Sequence, residues 1–517
     1  MSPHPLTPSP AYAPANLDAV CATEGDRTLT WRAWNSQADR LADSLARRGV
    51  TEGDRVAVRM HTRLEWLIVS LALAKLQAVI VAVNYRLSPP ETRYIAADCE
   101  VKAAIVDDAE PSAVVEAWGA LELKVIVSVD VAADGTELLA DLIAEGAERD
   151  RVALSLAPLI IYSSGTTGAP KGAPLASFLT DVDEGVLRDY RTSVQFDLAV
   201  GGPGNTTLIN LPMHHGVGPS YTEYALATGG TVVFQRRFDA EQVLALIAEH
   251  GVTHWVSVPT MLHRILKLPT ELRARYDTST LRFLGGGAAP FSAQLKQQAI
   301  DAFGDVVYEV YGATEAGMIA GATPELLRRK PAATGFPFRQ VRVRIVDESR
   351  RPVPAGTAGE ITVKTPAVIS GYIGRGPLGE EKIDADGYYY TGDVGYLDDE
   401  GVLFLSDRIT DMIISGGVNI YPAESEAVIV THPEVINVAV IGVPHDDHGE
   451  QPMAFVQTVP GATLTTAEIL AHCDGKLAKY KWPRVIEFVD EIPINSMGKT
   501  LKRVLRAAYV ADKGATA

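Results

Sequence analysis

Residues 159–172, LIIYSSGTTGAPKG, constrain the chain more than any other stretch. Leu159 to Tyr162 is an apolar run with β-branched members and reads as a buried strand. It stops abruptly at Ser163, Ser164, Gly165, Thr166, Thr167 and Gly168, with Lys171 beyond Ala169 and Pro170. Small residues let backbone N–H groups approach an anionic oxygen, hydroxyls donate further hydrogen bonds, and Lys171 brings a mobile positive charge. A flexible Gly/Ser/Thr linker is the competing reading, but a linker has no need of so apolar a strand before it. The run is not that of a P-loop NTPase. Pro170 stands where that pattern needs its second Gly, and Gly172 follows the lysine where a magnesium-holding hydroxyl should be.

A chain of 517 residues exceeds one ordinary core, so two or more domains are expected. Its formal charge of −17 argues against a nucleic-acid or anionic-membrane surface. Cys21, Cys99 and Cys473 are widely spaced and fit neither a disulfide framework nor a zinc site, which points to a reducing cytoplasm. The Pro-rich start, MSPHPLTPSPAYAP, reads as an extended arm over 1–16 and not as a signal peptide. Trp66–Val83 is the most membrane-like stretch, but Lys75 and Gln77 interrupt it, so a buried helix followed by a strand is expected.

Along the chain, helical spacing from Leu29 to Arg48 leads into a turn and strand over Val50–Met60. Helix and strand then alternate through Leu64–Leu76, Val79–Val83, Pro90–Asp98, Ala103–Val106 and Val125–Val129. Beyond the glycine-rich loop they continue through Thr206–Leu211, Ser220–Ala227, Thr231–Phe234, Ala240–His250, His254–Val258, Thr260–Leu266, Leu281–Leu284 and Val306–Tyr311. Such alternation predicts an α/β fold with parallel-rich sheets covered on both faces. From about Gln340 short alternating segments predict a β-rich subdomain, and beyond Asp407 a smaller α+β module ends in a basic helix.

Four further stretches carry chemistry only when taken together. LGGGAAP (Leu284–Pro290) places three glycines after a strand, where a flat ring can lie against the backbone. VYGATEAG (Val310–Gly317) puts Tyr311, Thr314 and Glu315 after another strand, a carboxylate and hydroxyl suited to Mg²⁺ on phosphates and a ring suited to a base; an N-cap at Thr314 is the plainer alternative. YYTGDVG supplies Asp393 in a turn, where a carboxylate can accept two ribose hydroxyls, and INSMGK sets Lys499 after a Gly in a loop.

In this order SSGTTGAPKG, PMHHGVG, VYGATEA, YYTGD, SDRITDMIISGG and NSMGK resemble the adenylate-forming superfamily of acyl-CoA synthetases, firefly luciferases and peptide-synthetase adenylation domains. The resemblance runs from Leu29 to Arg506 and is most like a stand-alone bacterial-type acyl-CoA synthetase. It implies an acid–thiol ligase that activates a carboxylate with ATP and Mg²⁺, releases pyrophosphate and passes the acyl group to a thiol. It also implies residues 1–407 as an ATP- and acyl-binding domain, 408–411 as a hinge and 412–517 as a mobile C-terminal domain.

Carried over residue by residue, Ser163, Ser164, Gly165, Thr166, Thr167, Gly168 and Lys171 hold the β- and γ-phosphates. Gly287, Ala288, Ala289 and Tyr311 line the adenine pocket, Thr314 touches the α-phosphate, Glu315 holds Mg²⁺, and Asp393 and Arg408 bind the ribose. Lys499 offsets the repulsion between the two anions that react. Thr410 falls at the hinge, where relatives carry Asp or Lys. Gly416 and Gly417 leave room for a pantetheine arm, and Val418 stands where Glu is common. His215 matches a residue that gates the acyl pocket, while His214 replaces a frequent Phe, with structural packing as the alternative to a role in the site.

The expected acyl pocket, His215–Gly218, Ser257–Met261 and Gly285–Gly287, is small or apolar and lacks Arg or Lys, so a hydrophobic monocarboxylic acid is expected: aromatic, alicyclic, polycyclic or medium to long chain. Free coenzyme A is the expected acceptor, since the chain ends soon after Lys499 without a fused carrier domain. Loading of a separate carrier protein and a catalytically silent nucleotide-binding homologue are the alternatives. Lys476, Lys479, Lys481 and Arg484 form a basic cluster that suits the CoA nucleotide or is simply solvated. A soluble cytoplasmic enzyme of fatty-acid or secondary metabolism is the expectation, with a homodimer left open.

Overall fold

The structure is a computed structural model that describes residues 16–149, 151–153, 157–163, 170–175, 182–197, 202, 204–415, 418–445, 447–495 and 498–515. Ser164 to Gly168, Gly416 and Gly417, and nearly all of the N-terminal arm therefore lie outside the described residues.

Among the described residues the strands form four sheets. A seven-stranded sheet runs Glu137–Leu138, Ile126–Ser128, Ala103–Val106, Arg55–Arg59, Val79–Val83, Leu159–Ser163, Lys171–Pro174, and all its pairings are parallel except the last. A nine-stranded sheet has a parallel centre, in spatial order Val307–Ala313, Phe283–Gly287, His254–Ser257, Thr206–Ile209, Thr231–Phe234 and Val20–Glu24, with antiparallel strands at either end. Val79–Val83 is buried at every position, as expected of a parallel strand covered on both faces. The β-rich subdomain is an antiparallel sheet of Arg342–Val346, Gly359–Lys364, Tyr389–Leu397 and Leu403–Arg408. Beyond Arg408 a five-stranded sheet carries the helices Pro422–Ile429, Thr466–Cys473 and Lys502–Ala515.

The helix Leu64–Lys75 is buried on nearly every face. Lys75 is buried with it because its ammonium reaches Asp39 and Asn35, each at 2.8 Å, and a paired charge tolerates the interior. No helix among the described residues is long and apolar enough to cross a membrane. All three cysteines are buried and free.

Three differences from the sequence reading have physical causes. The strand expected over Leu281–Leu284 lies at Phe283–Gly287, so the glycines are paired strand residues and not a free loop. A Cβ on Gly286 would strike the Phe291 ring and one on Gly287 the Val310 carbonyl, so glycine is what lets the strand pack there. Asp393, expected in a turn, sits within the strand Tyr389–Leu397, whose partner strand places Arg408 directly opposite. Thr314 caps no helix; it occupies a tight turn joining the strands Val307–Ala313 and Gly317–Ala322.

Candidate active site

Chain direction gathers the site. Leu159–Ser163, Phe283–Gly287 and Val307–Ala313 all deliver their C-terminal ends to the glycine-rich loop, to Ala288 and to the Thr314 turn, the side on which open α/β sheets bind ligands. A cleft of about 1060 Å³ is lined by Ala288, Ala289, Tyr311, Asp393, Arg408 and Lys499, joining residues from both sides of 408–411. Ala288 holds φ +61°, the left-handed region, which costs a non-glycine residue roughly 1 kcal/mol or more.

Asp393 is the centre of this group. Its carboxylate is nearly buried, accepts the Tyr311 hydroxyl at 2.7 Å on Oδ2 and meets Arg408 Nε at 3.0 Å on Oδ1. Burial, reinforced by the Asp393 charge, holds the Tyr311 phenol well above its ordinary pKa.

Lys499 enters from the C-terminal part on a tight loop. Its N–H donates to Asn495 Oδ1 at 2.9 Å, Asn495 N–H donates back to the Lys499 carbonyl at 2.8 Å, and Ile494 bridges to Thr500. Gly498 has φ +70°, and a Cβ there would strike Thr260 Oγ1, so glycine is needed both for the turn and for the close approach to the helix Pro259–Leu266. Desolvation, and then the Arg408 charge, bring the Lys499 ammonium down to about 8, against the opposite pull of Asp393 and Asp411.

Lys171 and Glu315 form a second group. The Lys171 ammonium stands 5.2 Å from the centroid of the Tyr372 ring, and the Tyr372 hydroxyl donates to Glu315 Oε1 at 2.9 Å. The sequence reading passed over Tyr372, and it took in Thr260 only as part of the Ser257–Met261 pocket stretch and Asn495 only as part of the INSMGK motif; the contacts that give all three their place run between distant stretches or within a loop, which spacing does not reveal. Thr314 is exposed beside this group.

His215 belongs to a different cluster. Its ring lies 4.8 Å from His214, which meets Tyr85 edge-on at 5.4 Å, and Tyr85 lies 4.0 Å from His61. Burial brings His215 down to about 4 and His214 well below its ordinary value, so both rings are neutral near pH 7. No group of three or more His, Cys, Asp or Glu side chains that could hold a metal occurs among the described residues. A single carboxylate such as Glu315 suits Mg²⁺ that takes its remaining oxygens from phosphates. In the basic cluster Lys481 is tied to Glu424 on the neighbouring helix, while Lys476, Lys479 and Arg484 are exposed.

The AMP-binding enzyme family model matches residues 10–373, and that of the AMP-binding enzyme C-terminal domain matches 424–499. The chain belongs to the AMP-binding enzyme family. It is thus an adenylate-forming acid–thiol ligase, a class that works with ATP, Mg²⁺ and CoA. The fatty acid–[acyl-carrier-protein] ligase ScoC of Streptomyces coeruleorubidus is 33% identical over 511 residues, covering 97% of this chain and 95% of that protein. The 2-succinylbenzoate–CoA ligase of Geobacillus kaustophilus is 34% identical over 503 residues, covering 95% of each. ATP-bound MatB from Rhodopseudomonas palustris superposes with a TM-score of 0.82 at 30% identity, covering 96% of each chain. The α/β architecture, with its large N-terminal part and smaller C-terminal part, is that of an AMP-binding enzyme.

Proposed function

We propose that the chain activates a hydrophobic monocarboxylic acid as its acyl-adenylate and transfers the acyl group to coenzyme A. The observation that carries the reaction is that Lys499, Asp393, Arg408 and Tyr311 line one cleft, with the Lys499 ammonium in the field of Asp393 and Arg408. Attack of a carboxylate on an α-phosphate brings two anions together, and a desolvated ammonium is most effective where that charge builds up. Asp393 is fixed by Tyr311 and Arg408 to receive a ribose, and Gly286 and Gly287 let Phe291 and the Val310 carbonyl pack against the strand that ends at Ala288. Lys171, with Ser163 to Gly168, would hold the leaving phosphates, Thr314 would meet the α-phosphate, and Glu315 would hold Mg²⁺, which when bound would supply positive charge to the phosphate oxygens.

The acid class rests on the walls. Val258 and Met261 are buried and apolar, Ser257 already donates to the Gly285 carbonyl, and His214 and His215 are neutral. A second carboxylate against Val258, Met261 and Ser257 would be an unpaired buried charge, whereas on the His214 side Arg86 stands 5.7 Å from the Tyr85 ring that packs against His214. Domain bounds of 1–407, 408–411 and 412–517 are supported by the core: among the described residues the buried apolar clusters on either side of 408–411 share no member. Gly416 and Gly417 would then make room for pantetheine, and the protein would act in the cytoplasm.

The test is a panel of fatty, benzoic and alicyclic acids with 2-succinylbenzoate, incubated with ATP and CoA and read by mass spectrometry. Acyl-CoA from the monocarboxylic members is the expected result; turnover confined to 2-succinylbenzoate overturns the acid class. A second reading, loading of a carrier protein, is favoured by the likeness to the ScoC ligase. Faster thioester formation on a carrier protein than on free CoA would select it.

A further inference from the structure

The loop between the strands Gly359–Lys364 and Tyr389–Leu397 passes over both halves of the phosphate site. It is folded back on itself by a hydrogen bond from Leu378 N–H to the Ser370 carbonyl at 2.9 Å and a bridge between Gly371 and Pro377. One edge is tied to the exit of the glycine-rich loop: Ile373 N–H donates to the Gly172 carbonyl at 2.9 Å. On that side Arg375 also donates to the Tyr94 hydroxyl at 3.0 Å, and Tyr94 donates to the Pro170 carbonyl at 3.2 Å. The other edge is tied to the opposite sheet, where Ile369 N–H donates to the Glu315 carbonyl at 2.9 Å.

Tyr372 lies between these ties and repeats them with its side chain. Its ring faces the Lys171 ammonium at 5.2 Å, close enough for a cation–π attraction, and its hydroxyl donates to Glu315 Oε1 at 2.9 Å. A hydrogen bond to one carboxylate oxygen fixes the rotamer of Glu315 and leaves the other oxygen to face a cation, as outer partners do for metal ligands generally. Lys171 comes from the seven-stranded sheet and Glu315 from a turn of the nine-stranded one. The distance between the two phosphate-binding groups is therefore set across a sheet-to-sheet gap.

We infer that Tyr372 is a positioning residue that couples the phosphate lysine Lys171 to the metal carboxylate Glu315, so that both address one Mg²⁺-bound triphosphate. The inference rests on the proposed roles of Lys171 and Glu315 and adds to them a residue that touches neither reacting atom.

The test titrates ATP into the intact enzyme, without acid, by calorimetry in the presence and absence of Mg²⁺. Tyr372→Phe keeps the ring and loses the hydroxyl: the gain in ATP affinity from Mg²⁺ should shrink by about 10–100-fold, with affinity in the absence of Mg²⁺ unchanged. Tyr372→Leu should in addition lose about two- to fivefold in the metal-free affinity, since the face under Lys171 is gone. Thioester formation from supplied acyl-adenylate should survive in both variants. A wild-type Mg²⁺ gain in Tyr372→Phe, or equal loss of both half-reactions, overturns the inference. Lys171→Ala and Glu315→Gln in the same titration separate the two levels. If they bind ATP and Mg²⁺ as the parent does, the underlying roles fail; if they are impaired while Tyr372→Phe is not, only the coupling fails.

Discussion

The hydroxyl of Tyr311 donates to Asp393 Oδ2 at 2.7 Å, while Arg408 Nε meets the other oxygen of the same carboxylate at 3.0 Å. Three motifs well apart in the sequence are thereby joined at one buried group. Tyr311→Phe would leave a buried carboxylate one donor short, at a cost of about 1–3 kcal/mol. The expected result is that loss in denaturant unfolding together with a raised KM for ATP. An unchanged KM would show that Asp393 needs only Arg408.

Lys499 should divide the two half-reactions. Lys499→Ala is expected to lose about 10²–10³ in acyl-adenylate formation and to keep thioester formation from supplied adenylate. Pyrophosphate release and thioester yield, measured separately, check it, and equal loss of both removes Lys499 from its role.

The same lysine gives a pH signature whose sign follows from its pKa. At about 8 the ammonium is lost as pH rises, so kcat/KM for adenylation should fall above pH 8 while thioester formation shows no limb from this group. Lys499→Arg should abolish the limb, because guanidinium stays charged throughout the range. A parent profile that stays flat to about pH 9.5 would contradict the assignment.

Much of the architecture is legible in the sequence because parallel strands covered on both faces must be uniformly apolar, as in Val79–Val83 and Ala103–Val106. Gly317–Ala322 and Lys171–Pro174 were not legible, since GMIAGA and KGAP carry neither alternation nor β-branched runs and pair only as antiparallel additions to strands already formed. In the site, Asp393, Arg408, Tyr311 and Lys499 stand out through motifs that bring unusual residue types together. Tyr372 and Thr260 do not, because their meaning lies in what the chain packs against them: a lysine and a carboxylate in one case, a bare glycine in the other.

The start of the last helix depends on a buried ion pair. Lys502 Nζ reaches Glu426 Oε1 at 2.8 Å beside Asp407, whose carboxylate accepts N–H groups from Arg408 and Ala423 at 2.8 and 2.9 Å. Removing one partner, as in Lys502→Met, leaves an uncompensated charge and should cost about 3–5 kcal/mol. Lys502→Met with Glu426→Gln should recover a large part of that loss, and strictly additive losses in unfolding would show that the pair is not coupled.

Gly498 is held by two constraints that a double-mutant cycle can separate. Its φ of +70° disfavours any side chain, at a cost of about 1 kcal/mol for alanine, and its Cα packs where a Cβ would strike Thr260 Oγ1. Gly498→Ala should thus displace the Lys499 loop and lower adenylation by more than its effect on unfolding suggests, with thioester formation from supplied adenylate spared. Thr260→Ala removes the oxygen and leaves the backbone requirement, so Gly498→Ala with Thr260→Ala should regain part of the adenylation rate. No regain would mean that the backbone angle alone sets the position of Lys499, and full regain that the contact with Thr260 alone does.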